Sequence, residues 1–396
     1  MSKYAKLLFI STANNNKYYI MEQKGSDIHI EYGRVESSST KLTKPISEWD
    51  KIYNSKVKKG YKDVTAYAAE TTVITDDSKG DTKLVGTGMM KVDEFMSLMQ
   101  RYTDGLVKQT YSVTAKQVTQ QQVDDAQKVL TDLMSMKNGK EADINAKLIE
   151  LYTIIPRRMS KVQYHILPSI KLEDILDKEQ DNLDAMASQV AMQNKTTPKT
   201  QKPVPSQQTI LDAIGITMKE CVGVPKEVEY LTKQISSTRN KVAAIFEVNS
   251  PVEDKIYNDW LSKQKDKTSR ILIHGTKNTS VIPILKTRLQ IRPQGNFQFS
   301  GKVYGNGNYF SEVVQKSLGY TGYDNDKVLL VYEVHTGNPF IYDGWYRGNS
   351  FTLDYKNLSQ RGYDSTYVKA GHGLLNTEII AYREEQNRIK YIIWLK

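Results

Sequence analysis

Ile273-His274-Gly275-Thr276 is the first of four short motifs between Arg270 and Lys396, the region around which the chain is organised. The others are Gly305-Asn306-Gly307-Asn308-Tyr309-Phe310, Lys316-Ser317 with Tyr320, and Leu374-Leu375-Asn376-Thr377-Glu378. Apolar and β-branched runs indicate strands at 242–248, 270–274, 328–334, 378–383 and 390–395. Gly305-x-Gly307 lacks the third glycine and the strand-to-helix context of a dinucleotide-binding fingerprint. The pattern therefore predicts an antiparallel α+β domain and not a Rossmann sheet.

In this order and spacing, the motifs resemble the catalytic domain of the poly(ADP-ribose) polymerase family. The resemblance covers about Lys241 to Lys396, and we expect an ADP-ribosyltransferase domain at 240–396. It implies transfer of ADP-ribose from NAD+ to proteins with release of nicotinamide, without a metal. Such a reaction stretches the nicotinamide–ribose bond toward an oxocarbenium-like state. It needs an oriented nicotinamide and a carboxylate near the ribose.

The resemblance assigns the nicotinamide contacts to two of the motifs. In His274-Gly275-Thr276, the glycine backbone pairs with the nicotinamide carboxamide, and the histidine bonds the adenosine ribose. A glycine is expected there because a side chain would block that approach. Ser317 bonds the carboxamide oxygen. All four residues are therefore predicted to bind NAD+.

The remaining motifs supply aromatic faces and a carboxylate. Tyr309 and Tyr320 are expected to flank nicotinamide, since aromatic faces suit a flat cationic ring. We expect Gly-x-Gly-x-Tyr-Phe, Ser317 and Tyr320 to share one helical stretch. By resemblance, Glu378 bonds the 2′-OH of the nicotinamide ribose and activates the acceptor. The predicted catalytic residues are thus His274, Tyr309 and Glu378, and a glutamate at the last position favours chain elongation over single transfer.

The N-terminal residues 1–88 predict a small β-rich domain. Strands are indicated at 4–10, 17–22 and 27–35, followed by a helix at 45–54 with Ser47 as a candidate N-cap. Tyr32-Gly33-Arg34-Val35 and Gly60-Tyr61 resemble a WGR domain, a nucleic-acid-binding module found beside the family's catalytic domains. The predicted nucleic-acid contacts are Tyr32, Arg34, Lys58 and Lys59. Lysine and arginine neutralise phosphates, and an aromatic ring can stack on a terminal base. A solvated lysine face on a small β domain is the alternative.

Residues 89–239 predict an all-α bundle. Apolar residues recur at helical intervals in three segments, 123–134, 144–155 and 172–190, and Pro156 closes the second helix. This pattern resembles the helical regulatory domain that precedes the family's catalytic domains. The Pro- and Gln-containing segment 193–208 is expected to be a flexible loop between two helices of the bundle. A further helix is indicated at about 226–237.

Bulk composition is consistent with partners of negative charge. The chain of 396 residues carries 55 Lys+Arg against 45 Asp+Glu, a net charge of +10. Such an excess favours polyanions, although it also serves solubility alone. The single cysteine, Cys221, excludes internal disulfides and Cys-rich zinc fingers. With no membrane-length apolar run and no signal sequence, we expect an intracellular protein without a membrane partner, in the nucleus of a eukaryotic host or otherwise in the cytoplasm.

These observations predict a multidomain α+β poly(ADP-ribose) polymerase that DNA ends or nicks activate and that modifies proteins, itself included. DNA would bind the WGR-like domain, and the helical domain would restrain NAD+ entry until then. Three alternatives remain open. They are a mono-ADP-ribosyltransferase on the same fold, a non-enzymatic DNA-binding adaptor with a degenerate pocket, and an NAD+ glycohydrolase that uses water as the acceptor.

Overall fold

The computed structural model describes residues 2–67, 84–136, 138–193, 208–291, 303–342, 353–371 and 374–396. The chain divides into two units. The first comprises Met1–Asp81 and Gly105–Pro203, and the second comprises Thr82–Asp104 and Val204–Lys396. The predicted boundaries at 88 and 240 do not coincide with this division.

The first unit contains a five-stranded antiparallel sheet in the order β4-β3-β2-β1-β5. Its strands are β1 (Tyr4–Ser11), β2 (Asn15–Lys24), β3 (Asp27–Arg34), β4 (Thr40–Pro45) and β5 (Lys62–Asp63). Alternation along β3 buries Ile28 and Ile30 beside Trp49 of helix α1 (Trp49–Lys58). The three predicted strands are confirmed, whereas β4 and β5 were not predicted.

The predicted helix start in this unit is wrong. Pro45 is still extended and pairs with Asp27, so the chain leaves the sheet only after the proline. A 3-10 turn at Ile46–Glu48 follows, and Glu48 is the N-cap of α1, without a side-chain hydrogen bond. Ser47 therefore lies within the turn and does not cap the helix.

The first unit also contains three helices, at the three predicted segments. They are α3 (Gln120–Ser135), α4 (Glu141–Ile154) and α5 (Leu172–Gln193). The side chain of Thr119 accepts a hydrogen bond from Gln122 N and caps α3. Helix α4 ends two residues before Pro156, as its missing N–H requires.

Helix α2 (Met90–Thr110) was not predicted as a separate helix. Its spacing is helical, because Val92, Phe95, Met96 and Met99 are all buried. The division between the two units falls within this helix.

The second unit contains two larger sheets. The antiparallel five-stranded sheet has the order β10-β12-β16-β9-β8, and the four-stranded sheet has the order β11-β15-β14-β13, in which only β13 and β14 are parallel. The strands are β8 (Thr217–Glu220), β9 (Val242–Asn249), β10 (Ser269–Gly275), β11 (Asn308–Phe310), β12 (Lys327–His335), β13 (Pro339–Tyr342), β14 (Ser365–Val368), β15 (Glu378–Ala381) and β16 (Asn387–Leu395). A short parallel pair is formed by β6 (Leu84–Val85) and β7 (Gln208–Thr209). The five predicted strands and the antiparallel arrangement are confirmed.

The five-stranded sheet of the second unit also includes residues before 240. Strand β8 pairs with β9 in that sheet. The helices of this unit are α6 (Ile210–Ile214), α7 (Glu229–Ile235), α8 (Pro251–Leu261), α9 (Asn278–Thr287), α10 (Val314–Leu318) and α11 (Tyr355–Ser359), together with the N-terminal part of α2. The predicted helix at 226–237 is therefore α7 with a preceding 3-10 turn, and it packs against the sheet and not in a separate bundle.

The expected flexible loop at 193–208 falls outside the described residues except at its two ends. Within the described part of the chain, every helix is too short or too polar to cross a membrane.

Candidate active site

The first wall of the site is the end of strand β10. His274 Nδ1 lies 3.0 Å from the carbonyl oxygen of Tyr309, to which it donates a hydrogen bond. Gly275 follows, and a Cβ at this position would lie 1.9 Å from the carbonyl oxygen of Ser317. The sequence analysis expected glycine here because a side chain would block nicotinamide. The structure adds a second reason, because a side chain would also overlap the Ser317 carbonyl.

The second wall is strand β11 with the turn before it. Gly305 adopts φ +91°, a conformation that favours glycine. The Tyr309 hydroxyl donates to the Gly305 carbonyl at 2.8 Å and accepts from Tyr304 N at 2.9 Å. Burial, reinforced by the neighbouring Tyr382, raises the pKa of Tyr309, so the hydroxyl stays neutral and the ring is fixed.

The third wall is the short helix α10, which carries Lys316 and the buried Ser317. Tyr320 comes after the helix and is about half exposed, 48%. The expectation of one helical stretch is wrong, because Tyr309 lies in a strand that pairs with β15. The bridge between Ser311 and Ile273 separates this strand from the helix.

Glu378 is the first residue of β15 and is buried. Its Oε1 lies 2.8 Å from Lys316 Nζ, and the two side chains are 7% and 20% exposed. Burial lowers the pKa of Lys316, but the hydrogen bond and the charge of Glu378 outweigh it, so the pKa is raised overall. The structure thus places an ion pair, largely removed from water, at the edge of the site.

These walls enclose a cavity of about 270 Å³. It brings together six of the seven residues predicted for catalysis or NAD+ binding, namely His274, Gly275, Tyr309, Ser317, Tyr320 and Glu378. Thr276 does not line it. Such an apolar cleft with a few convergent polar groups is the usual form of a small-molecule site.

Some lining residues were given no role by the sequence analysis. Lys316 belongs to one of the four motifs, but a Lys-Ser pair in a sequence does not distinguish a lysine that lines a cavity from one that is exposed to solvent. Leu289 and Gln290 also line the cavity, and Gln290 Nε2 donates to Thr287 O at 3.1 Å. Their position after helix α9 becomes evident only from the fold.

The residues predicted to contact nucleic acid lie in the first unit. The ring of Tyr32 stacks on Tyr19 with centroids 5.4 Å apart. The guanidinium of Arg34 donates to Asn14 O at 2.7 Å and to Ser160 O at 2.9 Å, so it holds two loops of its own unit. Lys58 and Lys59 are exposed at the end of α1. Contact with nucleic acid stays a prediction for all four.

Comparison with known proteins addresses the same region. The family described as poly(ADP-ribose) polymerase catalytic domain matches residues 219–396, which begin within strand β8. The chain is 55% identical over 168 residues to a putative poly [ADP-ribose] polymerase-like protein 100L of Invertebrate iridescent virus 6, covering 42% of this chain and 92% of that protein. It is 44% identical over 192 residues to the uncharacterized protein 101L of the same virus, covering 48% and 79%. It is 22% identical over 312 residues to poly [ADP-ribose] polymerase 1 of Gallus gallus, covering 70% of this chain and 30% of that protein.

Proposed function

Because the chain belongs to the poly(ADP-ribose) polymerase family, we propose that it uses NAD+ to build poly(ADP-ribose) on proteins, itself included, and releases nicotinamide. The family's catalytic domain accounts for an ADP-ribosyltransferase. The observation that carries the finer proposal is the convergence of Glu378, paired with Lys316, on the cavity that His274 and Tyr309 also line.

The cavity suits the nicotinamide end of NAD+. Gly275 lines the cavity without a side chain of its own, and Ser317 brings a hydroxyl from the neighbouring wall formed by α10. Tyr309 and Tyr320 offer ring faces to a flat cation, a favourable electrostatic contact. His274, held by its Nδ1 bond, would bond the adenosine ribose.

In the proposed reaction, the bond between the ribose C1′ and the nicotinamide nitrogen breaks, and its electron pair leaves with nicotinamide. Positive charge develops on the ribose, and the Glu378 carboxylate stabilises it while accepting a bond from the 2′-OH. An oxygen of the acceptor then bonds to C1′, and its proton passes to Glu378. Each added ADP-ribose supplies the next hydroxyl acceptor.

Lys316 would orient the carboxylate for this work. Its Nζ contacts Oε1 of Glu378, which leaves Oε2 to face the ribose. The ion pair is held in a mostly dry position, where a charge–charge contact is stronger than at the surface.

We further propose that DNA ends or nicks activate the enzyme through the first unit. Lysines cluster in its sequence, at Lys41, Lys44, Lys51, Lys56, Lys58, Lys59 and Lys62, and all but Lys56 are exposed. Such a surface suits phosphate backbones. The helices would restrain NAD+ entry until DNA binding loosens them, an order–disorder switch.

The test is incubation of the full chain with labelled NAD+, with and without nicked, 5′-phosphorylated DNA, alongside Glu378→Gln. The control is Glu229→Gln, an exposed glutamate of α7 paired with Lys233. We expect a DNA-dependent ladder of labelled protein that collapses in Glu378→Gln and persists in the control. One sharp band would indicate mono-transfer, and free ADP-ribose without labelled protein a glycohydrolase. Absence of nicotinamide release would refute the enzymatic proposal.

A further inference from the structure

Helix α7 lies behind the cavity and does not contribute to its lining. Val228, Leu231 and Ile235 are buried in the core that also contains Ile273 of β10 and Val314 of α10. One face of α7 therefore touches the elements that carry two walls of the cavity.

Gln234, on α7, is bound to the segment that joins those walls. Its Nε2 donates to the carbonyl of Glu312 at 2.8 Å, and its Oε1 accepts from Val314 N at 2.9 Å. This amide therefore satisfies both a backbone acceptor and a backbone donor, as a neighbouring strand would. Because Val314 is the first residue of α10, its N–H has no acceptor within the helix. The N-cap residue Val313 provides no side-chain cap, so Gln234 supplies the acceptor instead.

Further hydrogen bonds tie this segment and α7 to β10. Ser311 exchanges two backbone hydrogen bonds with Ile273, both 2.9 Å long. Four residues before Gln234 along α7, the Tyr230 hydroxyl donates to the carbonyl of Ile271 at 2.7 Å. Helix α7 thus holds β10 through one side chain and the start of α10 through another.

Helix α10 lies very close to the end of β10. The Ser317 carbonyl lies so close to Gly275 that a single Cβ would overlap it. A shift of α10 toward or away from β10 therefore changes the width of the cavity and moves Lys316 and Ser317 together.

We propose that Gln234 is a positioning residue for the nicotinamide site, which sets the distance between α10 and β10 through its two backbone hydrogen bonds. This inference rests on the proposed function, because the site that Gln234 shapes is the proposed nicotinamide site. Gln234 does not touch the substrate, and its effect reaches the site through α10.

The first experiment measures nicotinamide binding to the full chain by calorimetry, without NAD+. Gln234→Met keeps the side chain's length but removes both hydrogen bonds, so we expect the Kd to rise about tenfold, since each bond contributes on the order of a few-fold to tenfold. The matched control is Lys233→Met, which changes the neighbouring exposed residue on the same helix. Its Kd should equal that of the wild type, and thermal melting confirms that each variant is folded at the temperature used.

The second experiment uses Gln234→Glu to restore the bonds by protonation. A neutral carboxylic acid donates and accepts as the amide does, whereas a carboxylate faces the Glu312 carbonyl without a proton to donate. The ratio of the variant's Kd to the wild-type Kd in the same buffer should decrease steadily as pH falls from 8 to 5. The neighbouring ionisable side chains Glu229, Tyr230, Arg270 and Glu312 are present in both proteins, so comparison with the wild type cancels their effects. General destabilisation would not follow this pH course.

The outcomes separate the two ideas. A wild type that binds no nicotinamide would refute the proposed function, and this inference with it. Normal binding by the wild type with an unchanged Kd in folded Gln234→Met would refute only the positioning role. If the ratio of the Gln234→Glu Kd to the wild-type Kd does not change with pH, that result would also count against the positioning role.

Discussion

At the level of single residues, the Lys316–Glu378 pair is the feature with the most chemical content. A buried carboxylate costs free energy unless a partner neutralises it. The motif order in the sequence predicted Glu378 from family resemblance, but not its partner. Lys316 precedes Glu378 by a long stretch of chain, and the fold brings the two side chains together from α10 and from β15.

Replacing Lys316 tests this pair directly. In Lys316→Met the Glu378 carboxylate keeps its burial but loses its cation, so we expect kcat to fall about 10- to 100-fold, a loss of about 1.4 to 2.7 kcal/mol in transition-state stabilisation. Steady-state nicotinamide release measures kcat and KM. Lys255→Met, an exposed change on α8, serves as the control. A kcat within twofold of the wild type would contradict the orienting role.

Gly275 allows an equally local prediction. The added methyl of Gly275→Ala overlaps the Ser317 carbonyl, so α10 must move and nicotinamide affinity should fall at least about 100-fold, which corresponds to roughly 2.7 kcal/mol. Gly105→Ala is the matched control, because its new Cβ meets nothing within 4 Å and lies in helix α2. It should stabilise the chain by up to about 1 kcal/mol and leave nicotinamide binding unchanged. Calorimetric titration with thermal melting separates the two effects, and equal affinities in the two variants would contradict it.

At the level of elements, apolar and β-branched runs predicted the strands of the second unit well. Strands such as β12 and β16 contain nearly continuous apolar, β-branched runs, which are a local property of the sequence. Helix α7 shows the limit. Its helical spacing was predicted, but its place against the larger sheet depends on Val228 and Leu231 meeting the strand core, which no local pattern encodes. The contact made by Gln234 is equally non-local, because a glutamine on a short helix usually indicates a solvated face.

One contact between elements has a pH dependence that can be measured. Glu253 of α8 is 2% exposed, and its Oε2 accepts from Ile389 N at 2.7 Å beside an irregularity in the pairing of β12 with β16. Burial raises the pKa of Glu253 to about 7, although the bond from Ile389 opposes the shift. The folded state therefore holds a proton that the unfolded state releases near pH 4.5.

Stability should consequently fall as pH rises from about 4.5 through about 7, since the folded state binds more protons in that window. Glu253→Gln removes this titration and keeps an acceptor for Ile389 N. Denaturant unfolding should show the variant equal to the wild type at pH 4.5 and more stable at pH 8, by up to about 3 kcal/mol. The expectation fails if the difference between the two proteins is the same at both pH values.

At the scale of the whole molecule, the match to the family's catalytic domain supports the chemistry proposed for the second unit. The DNA-binding role proposed for the first unit rests instead on its exposed lysines and on its sequence resemblance to a WGR domain. The structure shows that Arg34 is engaged within its own unit. The exposed cations at the end of α1 are therefore better placed to meet phosphates than Arg34 is. This distinction was not visible in the sequence, where Tyr32 and Arg34 belong to one motif.

Charge reversal at the end of α1 tests this reasoning. If Lys58 and Lys59 each neutralise one phosphate, the double change to glutamate should weaken binding of nicked DNA and reduce the slope of log Kd against log salt by about 2. DNA-stimulated ADP-ribosylation should fall in parallel, while nicotinamide binding stays unchanged because the cavity lies in the second unit. The control reverses two exposed lysines of that unit, Lys255 and Lys263. An unaltered salt slope in the α1 variant would show that Lys58 and Lys59 neutralise no phosphate. An equal loss in the control would show that overall positive charge, and not the end of α1, determines DNA binding.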